Sequence, residues 1–106
     1  MAEEWIVACD ETSVAKDDVV RFDHLGATYA VVRMSDGVCN VMDGLCTHGK
    51  AHLAEGFVDG TTIECPKHNG RFNVLTGEAT ATPARVATQV YQTRINNSKI
   101  EFLKVD

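Results

Sequence analysis

The sequence predicts an all-β domain of short antiparallel strands. Segments rich in Val, Ile, Thr, Tyr and Phe recur along the chain. Turn signals containing Gly, Asp, Asn or Ser separate them at roughly eight to twelve residues. No segment has the spacing of an amphipathic helix. A chain of 106 residues fits one domain. Together these features favour an antiparallel β-sandwich or barrel.

The strands follow from composition and alternation. Residues 27–34 are β-branched and aromatic enough for a central strand, and Ser35-Asp36-Gly37 is the turn to its antiparallel partner at 38–42. Asp59-Gly60 marks the turn of a second hairpin within 56–64. The other predicted strands cover residues 5–9, 19–22, 71–74, 88–95 and 99–105.

Charge and hydropathy exclude several classes of protein. The formal net charge of −5 makes nucleic acid and anionic membranes poor partners. No apolar run approaches the roughly 18–20 residues of a transmembrane helix. The N-terminus is acidic and lacks the basic and then apolar layout of an export signal, so we expect a cytoplasmic protein. Disulfides are therefore not expected, and Cys9 and Cys39 are predicted to be small buried hydrophobic residues.

The chemistry of the chain is concentrated in two short arms, Cys46-Thr47-His48 and Cys65-Pro66-Lys67-His68. Each arm offers one thiolate and one imidazole at a spacing that suits a loop wrapped around a metal. Four such ligands could form a tetrahedral zinc site. They could equally hold a [2Fe–2S] cluster with two cysteines on one iron and two histidines on the other. The remaining histidines, His24 and His52, are expected to be solvent-facing residues of a turn and a loop.

The flanks of the arms distinguish these alternatives. Cys46-x-His48, sixteen intervening residues and Cys65-x-x-His68-Asn69-Gly70, followed by Thr82-Pro83-Ala84, resemble the Rieske ferredoxin family. Zinc fingers usually place two cysteines in one arm and two histidines in the other, whereas each arm here mixes the two. The resemblance implies one [2Fe–2S] cluster per chain, held by Cys46, His48, Cys65 and His68. It also implies a Rieske fold, in which a cluster-binding subdomain at about 43–84 is inserted into a basal β-structure formed by 1–42 and 85–106.

By this resemblance the protein is a carrier of single electrons and not an enzyme. It would accept electrons from a flavin-dependent NAD(P)H ferredoxin reductase and deliver them to a terminal non-haem iron oxygenase that acts on aromatic compounds. We expect a monomer. The alternatives are a Rieske-like small subunit of another reductase, such as the nitrite reductase type, and a structural zinc-binding module.

The resemblance also implies a low reduction potential. High-potential Rieske proteins carry an additional cysteine in each arm, and these form a disulfide between the loops. They also carry hydroxyl side chains two and four positions after the second histidine. This chain has no such cysteines, and Gly70 and Phe72 occupy those two positions. We therefore expect a potential near the low end of the Rieske range of about −150 to +300 mV.

Overall fold

The structure is a computed structural model that describes residues 3–47, 51–66, 70–82 and 86–105. This part of the chain contains eleven strands and two 3₁₀ helices. The strands are β1 (Glu3–Asp10), β2 (Asp18–His24), β3 (Ala27–Arg33), β4 (Cys39–Asp43), β5 (Phe57–Asp59), β6 (Thr62–Glu64), β7 (Arg71–Asn73), β8 (Ala79–Ala81), β9 (Val90–Tyr91), β10 (Thr93–Asn96) and β11 (Lys99–Val105), and the 3₁₀ helices cover Glu11–Ser13 and Leu53–Glu55. In the described ranges, no helix has the length and apolar character needed to span a membrane.

The strands form three antiparallel sheets. The base sheet has the order β1-β11-β10, the middle sheet β2-β3-β4-β9, and the loop sheet β5-β6-β7-β8. Strands that follow one another in the sequence pair directly in most cases, as the short turns predict. This arrangement confirms the predicted all-β fold of antiparallel strands. The predicted subdomain limits at residues 43 and 84 stay a prediction, and the second lies outside the described residues.

Both faces of the middle sheet are buried at its two central strands, β3 and β4. Along β3, Tyr29 and Val31 point to one side, while Ala30 and Val32 point to the other. The first side faces the base core, which contains Ile6, Val14, Tyr29, Val31, Cys39, Val41, Ile100 and Phe102. The second side faces the ligand core, which contains Val19, Ala30, Val32, Met34, Met42, Cys46, Leu53, Ile63, Cys65, Phe72 and Val74. The middle sheet therefore separates two apolar cores, and the predicted central strand is central in space.

Both predicted hairpin turns are present. Gly37 has φ +89° and Gly60 has φ +63°, a left-handed conformation that glycine adopts without steric cost. The carboxylate of Asp36 accepts a hydrogen bond from the backbone N–H of Val38 at 3.0 Å. These turns fit the observed register of β3 with β4 and of β5 with β6.

Two predicted elements differ from the structure. The single strand predicted over 88–95 is wrong, because the chain passes between sheets at Gln92: β9 pairs with β4, and β10 pairs with β11. At this crossing the side chain of Thr93 accepts a hydrogen bond from the backbone N–H of Val41 at 2.9 Å. In addition, the sequence does not predict the strand at Ala79–Ala81, because Ala-Thr-Ala has little intrinsic preference for a strand.

Gly77 joins the turn after β7 to the segment that precedes β9. It has φ +80°, and a Cβ added to it would overlap the carbonyl oxygen of Thr88. The two backbones also form a hydrogen bond, from the N–H of Thr88 to the carbonyl of Gly77 at 2.8 Å. We expect Gly77→Ala to lower the free energy of unfolding by about 3 kcal/mol, because it adds both backbone strain and a clash with main chain. Equilibrium denaturation measures this change.

Gly37→Ala is the matched control. Gly37 has a similar φ of +89°, but a Cβ added to it would have no atom within 4 Å. This substitution should cost only the left-handed backbone strain of about 1–2 kcal/mol. Equal losses for the two variants would show that the close approach of Gly77 to Thr88 contributes nothing.

Candidate metal centre

The first ligand arm continues directly from β4. The chain leaves the middle sheet at Asp43 and reaches Cys46 three residues later. The backbone N–H of Cys46 donates to the carbonyl of Ala51 at 2.9 Å, and Leu45 forms an antiparallel bridge with His52. The two ends of the first ligand loop are therefore joined to each other, and the loop is attached to β4, a strand that is buried on both faces.

The second ligand arm connects β6 and β7 of the loop sheet. The backbone N–H of Cys65 donates to the carbonyl of Gly70 at 2.7 Å. The ends of both loops are thus joined in the same way, with a cysteine N–H bonded to the carbonyl five residues later. The predicted ligands His48 and His68 fall within these two loops, outside the described residues.

The two cysteine side chains lie in one apolar cluster. Cys46 is 4% exposed and Cys65 is fully buried, and both belong to the ligand core together with Leu53, Ile63 and Phe72. The structure therefore brings together the two cysteines of arms that are distant in sequence. Thiolates are costly to bury without a compensating positive charge, and a metal bound by both would supply that charge. This donor set fits a site with two cysteine and two histidine ligands.

A third segment lies beside the first loop. The hydroxyl of Thr47 donates to the carbonyl of Val86 at 2.7 Å, and the backbone N–H of Asp43 donates to the carbonyl of Gln89 at 2.9 Å. Through these contacts the chain that follows Pro83 is held against the first ligand arm. Pro83 itself lies outside the described residues.

His52 is not the exposed loop residue that the sequence predicts. It is 6% exposed and precedes the 3₁₀ helix Leu53–Glu55. Its Nδ1 accepts a hydrogen bond from the backbone N–H of Ala54 at 3.0 Å, and its Nε2 lies 2.8 Å from the hydroxyl of Thr28. No sequence pattern indicates this burial, because Thr28 lies on a distant strand, β3.

The surroundings of His52 favour a neutral ring. Burial lowers the pKa of His52, and the nearby guanidinium of Arg21 lowers it further, whereas the carboxylates of Asp23 and Glu55 act in the opposite direction. The hydrogen bond from Ala54 requires an unprotonated Nδ1. The proton of the neutral ring is consequently on Nε2.

The other residues considered from the sequence lie away from the two loops. Cys39 is buried in the base core, as predicted, and Cys9 is half-buried beside it on β1. Burial raises the pKa of both thiols. All four cysteines lie in the described residues, and no disulfide joins any two of them.

His24 ends β2 with its ring half-buried and stacked on Phe22, at 5.9 Å between centroids, so it is less exposed than predicted.

Comparison with known proteins identifies the family of the chain. The family model described as "Rieske [2Fe-2S] domain" matches residues 4–92. The ferredoxin component of the naphthalene 1,2-dioxygenase/salicylate 5-hydroxylase systems of Ralstonia sp. is 37% identical over 106 residues, which cover 100% of both chains. The ferredoxin of Sphingomonas yanoikuyae B1 superposes with a TM-score of 0.90 at 34% identity, over 96% of this chain and 100% of that one.

A further structural match is a complex of reduced oxygenase and oxidized ferredoxin in carbazole 1,9a-dioxygenase, with a TM-score of 0.86 and 33% identity over 92% of this chain and 91% of the matched chain. The two buried cysteines, the two loops that carry the histidines and the three-sheet fold are thus found in a chain that resembles Rieske ferredoxins over its whole length. The chain belongs to the Rieske [2Fe–2S] domain family.

Proposed function

We propose that this protein is the ferredoxin component of an aromatic-ring dioxygenase system. It accepts single electrons from a flavin-dependent NAD(P)H reductase and delivers them to a terminal non-haem iron oxygenase. The observation that carries this proposal is the shared burial of Cys46 and Cys65 at the bases of two loops that each contain a histidine. The full-length similarity to ferredoxin components of such systems also supports the proposal.

In this proposal Cys46 and His48 supply ligands from the first loop, and Cys65 and His68 supply ligands from the second. When bound, a [2Fe–2S] cluster supplies a one-electron redox couple. The ligand core excludes water from the cysteine side. With all ligand positions filled by protein and sulfide, no position is open for a substrate, so the protein is a carrier and not an enzyme. It acts as a cytoplasmic monomer that holds one cluster.

The partner-binding surface in this proposal lies at the first loop. Leu45 is 54% exposed and Val86 is 65% exposed, although both are large apolar side chains. Beside them lies a surface groove of about 590 Å³ whose lining includes Ala27, Asp43, Leu45 and Thr47. Exposed apolar residues around a groove are typical of a surface that contacts another protein. Thr47 stands between both proposed ligands of the first arm in the sequence, so a partner seated here would be close to the site.

A low reduction potential is part of the same proposal. Phe72 is fully buried in the ligand core and has no hydroxyl to donate to sulfur. Cys9 and Cys39 lie on β1 and β4, at the base core, and are therefore not available for a disulfide between the ligand loops. Both features remove interactions that would stabilise a more negatively charged reduced site.

The first test concerns the ligands. The purified protein should be red-brown, should contain about two iron and two sulfide per chain, and should give an EPR signal after reduction by dithionite. Cys46→Ser, Cys65→Ser, His48→Ala and His68→Ala should each lose this signal, because each removes one ligand. A colourless protein that contains zinc would instead support the structural zinc module.

The second test concerns the partner. We expect Leu45→Glu to slow electron delivery to a dioxygenase oxygenase component roughly tenfold, because it places a charge in the apolar contact, equivalent to about 1.4 kcal/mol. Stopped-flow oxidation of the reduced protein measures this rate, and the EPR signal should be unchanged.

Ile95→Glu is the control for this test. Ile95 is 47% exposed on β10 of the base sheet, so its exposure is similar but it is part of a different sheet. It should leave the rate unchanged. Equal rates for both variants would place the contact elsewhere. Efficient delivery to a nitrite reductase catalytic subunit, with none to an oxygenase, would favour the alternative reductase subunit.

The third test concerns the potential. In Phe72→Tyr the new hydroxyl is added in the ligand core, which also contains the sulfurs of Cys46 and Cys65. A hydrogen bond that is about 1 kcal/mol stronger in the reduced state raises a one-electron potential by roughly 40 mV. Protein-film voltammetry measures this change. Phe22→Tyr, at the base core, is the control and should not change the potential. If Phe72→Tyr retains the cluster at an unchanged potential, the missing hydroxyl is not the cause of a low potential.

A further inference from the structure

His52 lies beside both ends of the first ligand loop. Its backbone pairs with Leu45, the residue before Cys46. On either side of it, Ala51 accepts the N–H of Cys46 at 2.9 Å, and the N–H of Leu53 donates to the carbonyl of Gly44 at 2.7 Å. The backbone at 51–53 is therefore the partner of the backbone at 44–46. Hydrogen bonds therefore connect the backbone around His52 directly to the backbone that carries Cys46.

The side chain of His52 belongs to a continuous chain of hydrogen bonds. The N–H of Ala54 donates to Nδ1, so Nε2 carries the proton and donates to the hydroxyl of Thr28 at 2.8 Å. The hydroxyl of Thr28 in turn donates to the carboxylate of Asp23 at 2.5 Å. Each group in this series of hydrogen bonds acts consistently, as a donor to the next group or as an acceptor from the previous one. The series connects the loop to β2 and β3 of the middle sheet.

The imidazole ring also fits closely against Gly44. A Cβ on Gly44 would overlap Nε2 of His52 and would lie 3.1 Å from the backbone of Tyr29. The ring thus occupies the space beside the backbone two residues before Cys46. In addition, Leu53 packs in the ligand core with both cysteines, and the 3₁₀ helix that begins at Leu53 is capped by the Nδ1 of His52.

From these contacts we propose that His52 is a positioning residue for the [2Fe–2S] site: its ring holds the base of the first ligand loop, and hence Cys46, against the middle sheet. This inference rests on the proposed function, since it takes Cys46 as a ligand. His52 itself is not a ligand in this scheme. It acts through the backbone of residues 44–46 and 51–53, and through Thr28.

His52→Leu tests the proposal because it replaces the imidazole by an apolar side chain of moderate size and so removes both hydrogen bonds. We expect the loaded protein to lose its cluster to an iron chelator about tenfold faster than the wild type, equivalent to about 1.4 kcal/mol. We also expect the g values of the EPR spectrum of the reduced protein to shift, because the geometry at Cys46 changes. His52→Asn retains an acceptor for the N–H of Ala54 and should give a rate between those of the wild type and His52→Leu.

His24→Leu is the matched control, since His24 is a histidine of β2 outside the ligand loops. It should leave both the EPR spectrum and the rate of cluster loss as in the wild type. If His52→Leu does not accumulate in folded form, Thr28→Val provides the second variant. It removes the acceptor of Nε2 but keeps the imidazole ring, so it should change both measurements in the same direction to a smaller extent.

The outcomes separate this inference from the proposed function. A wild type that cannot be loaded with iron and sulfide contradicts the proposed function. A loaded wild type with the same EPR spectrum and rate of cluster loss in His52→Leu overturns the positioning role. Faster loss with an unchanged EPR spectrum also overturns it, because that result indicates a general loss of stability. Equal effects of His24→Leu and His52→Leu would also overturn the positioning role.

Discussion

Side chains of β3 alternate between two apolar cores, so the middle sheet is buried on both faces at this central strand. In such a sheet the register of each strand is strongly specified, because a shift by one residue would exchange the two sets of side chains between the cores. Strand β4 shares this constraint, with Val41 in the base core and Met42 in the ligand core. Because β4 runs directly into the first ligand loop, the position of Cys46 is set by the most constrained part of the molecule.

The second cysteine comes from a different layer. Cys65 lies between β6 and β7 of the loop sheet, whose strands are only three residues long. Such short strands give little stability by themselves, and the sheet depends on the apolar side chains of Ile63 and Phe72 that pack in the ligand core beneath the middle sheet. A group bound by cysteines of both loops would therefore add a link between two layers that are otherwise joined by packing and by a few hydrogen bonds, such as that from the Asn40 side chain to the carbonyl of Val74.

Local chemistry explains which features are predictable from the sequence. The glycine of Ser35-Asp36-Gly37 and the β-branched run before it specify the hairpin of β3 and β4, since turn geometry and strand preference agree there. The paired cysteines are recognisable because a metal site constrains both residue type and spacing. By contrast, the crossing at Gln92 depends on which strand is adjacent in space. The burial of His52 depends on Thr28 and on the missing side chain of Gly44, and neither relation leaves a pattern in the sequence.

The burial of the two sulfurs has a consequence for how the bound group is inserted. Cys46 and Cys65 have almost no contact with solvent, so insertion of a group between their sulfurs requires the ligand core to open. The loop sheet, with its short strands, is the layer that can separate from the rest by local opening. Closure around the inserted group then contributes to the free energy of folding. The free energy of unfolding of the loop sheet would therefore depend on whether the group between the two cysteines is bound.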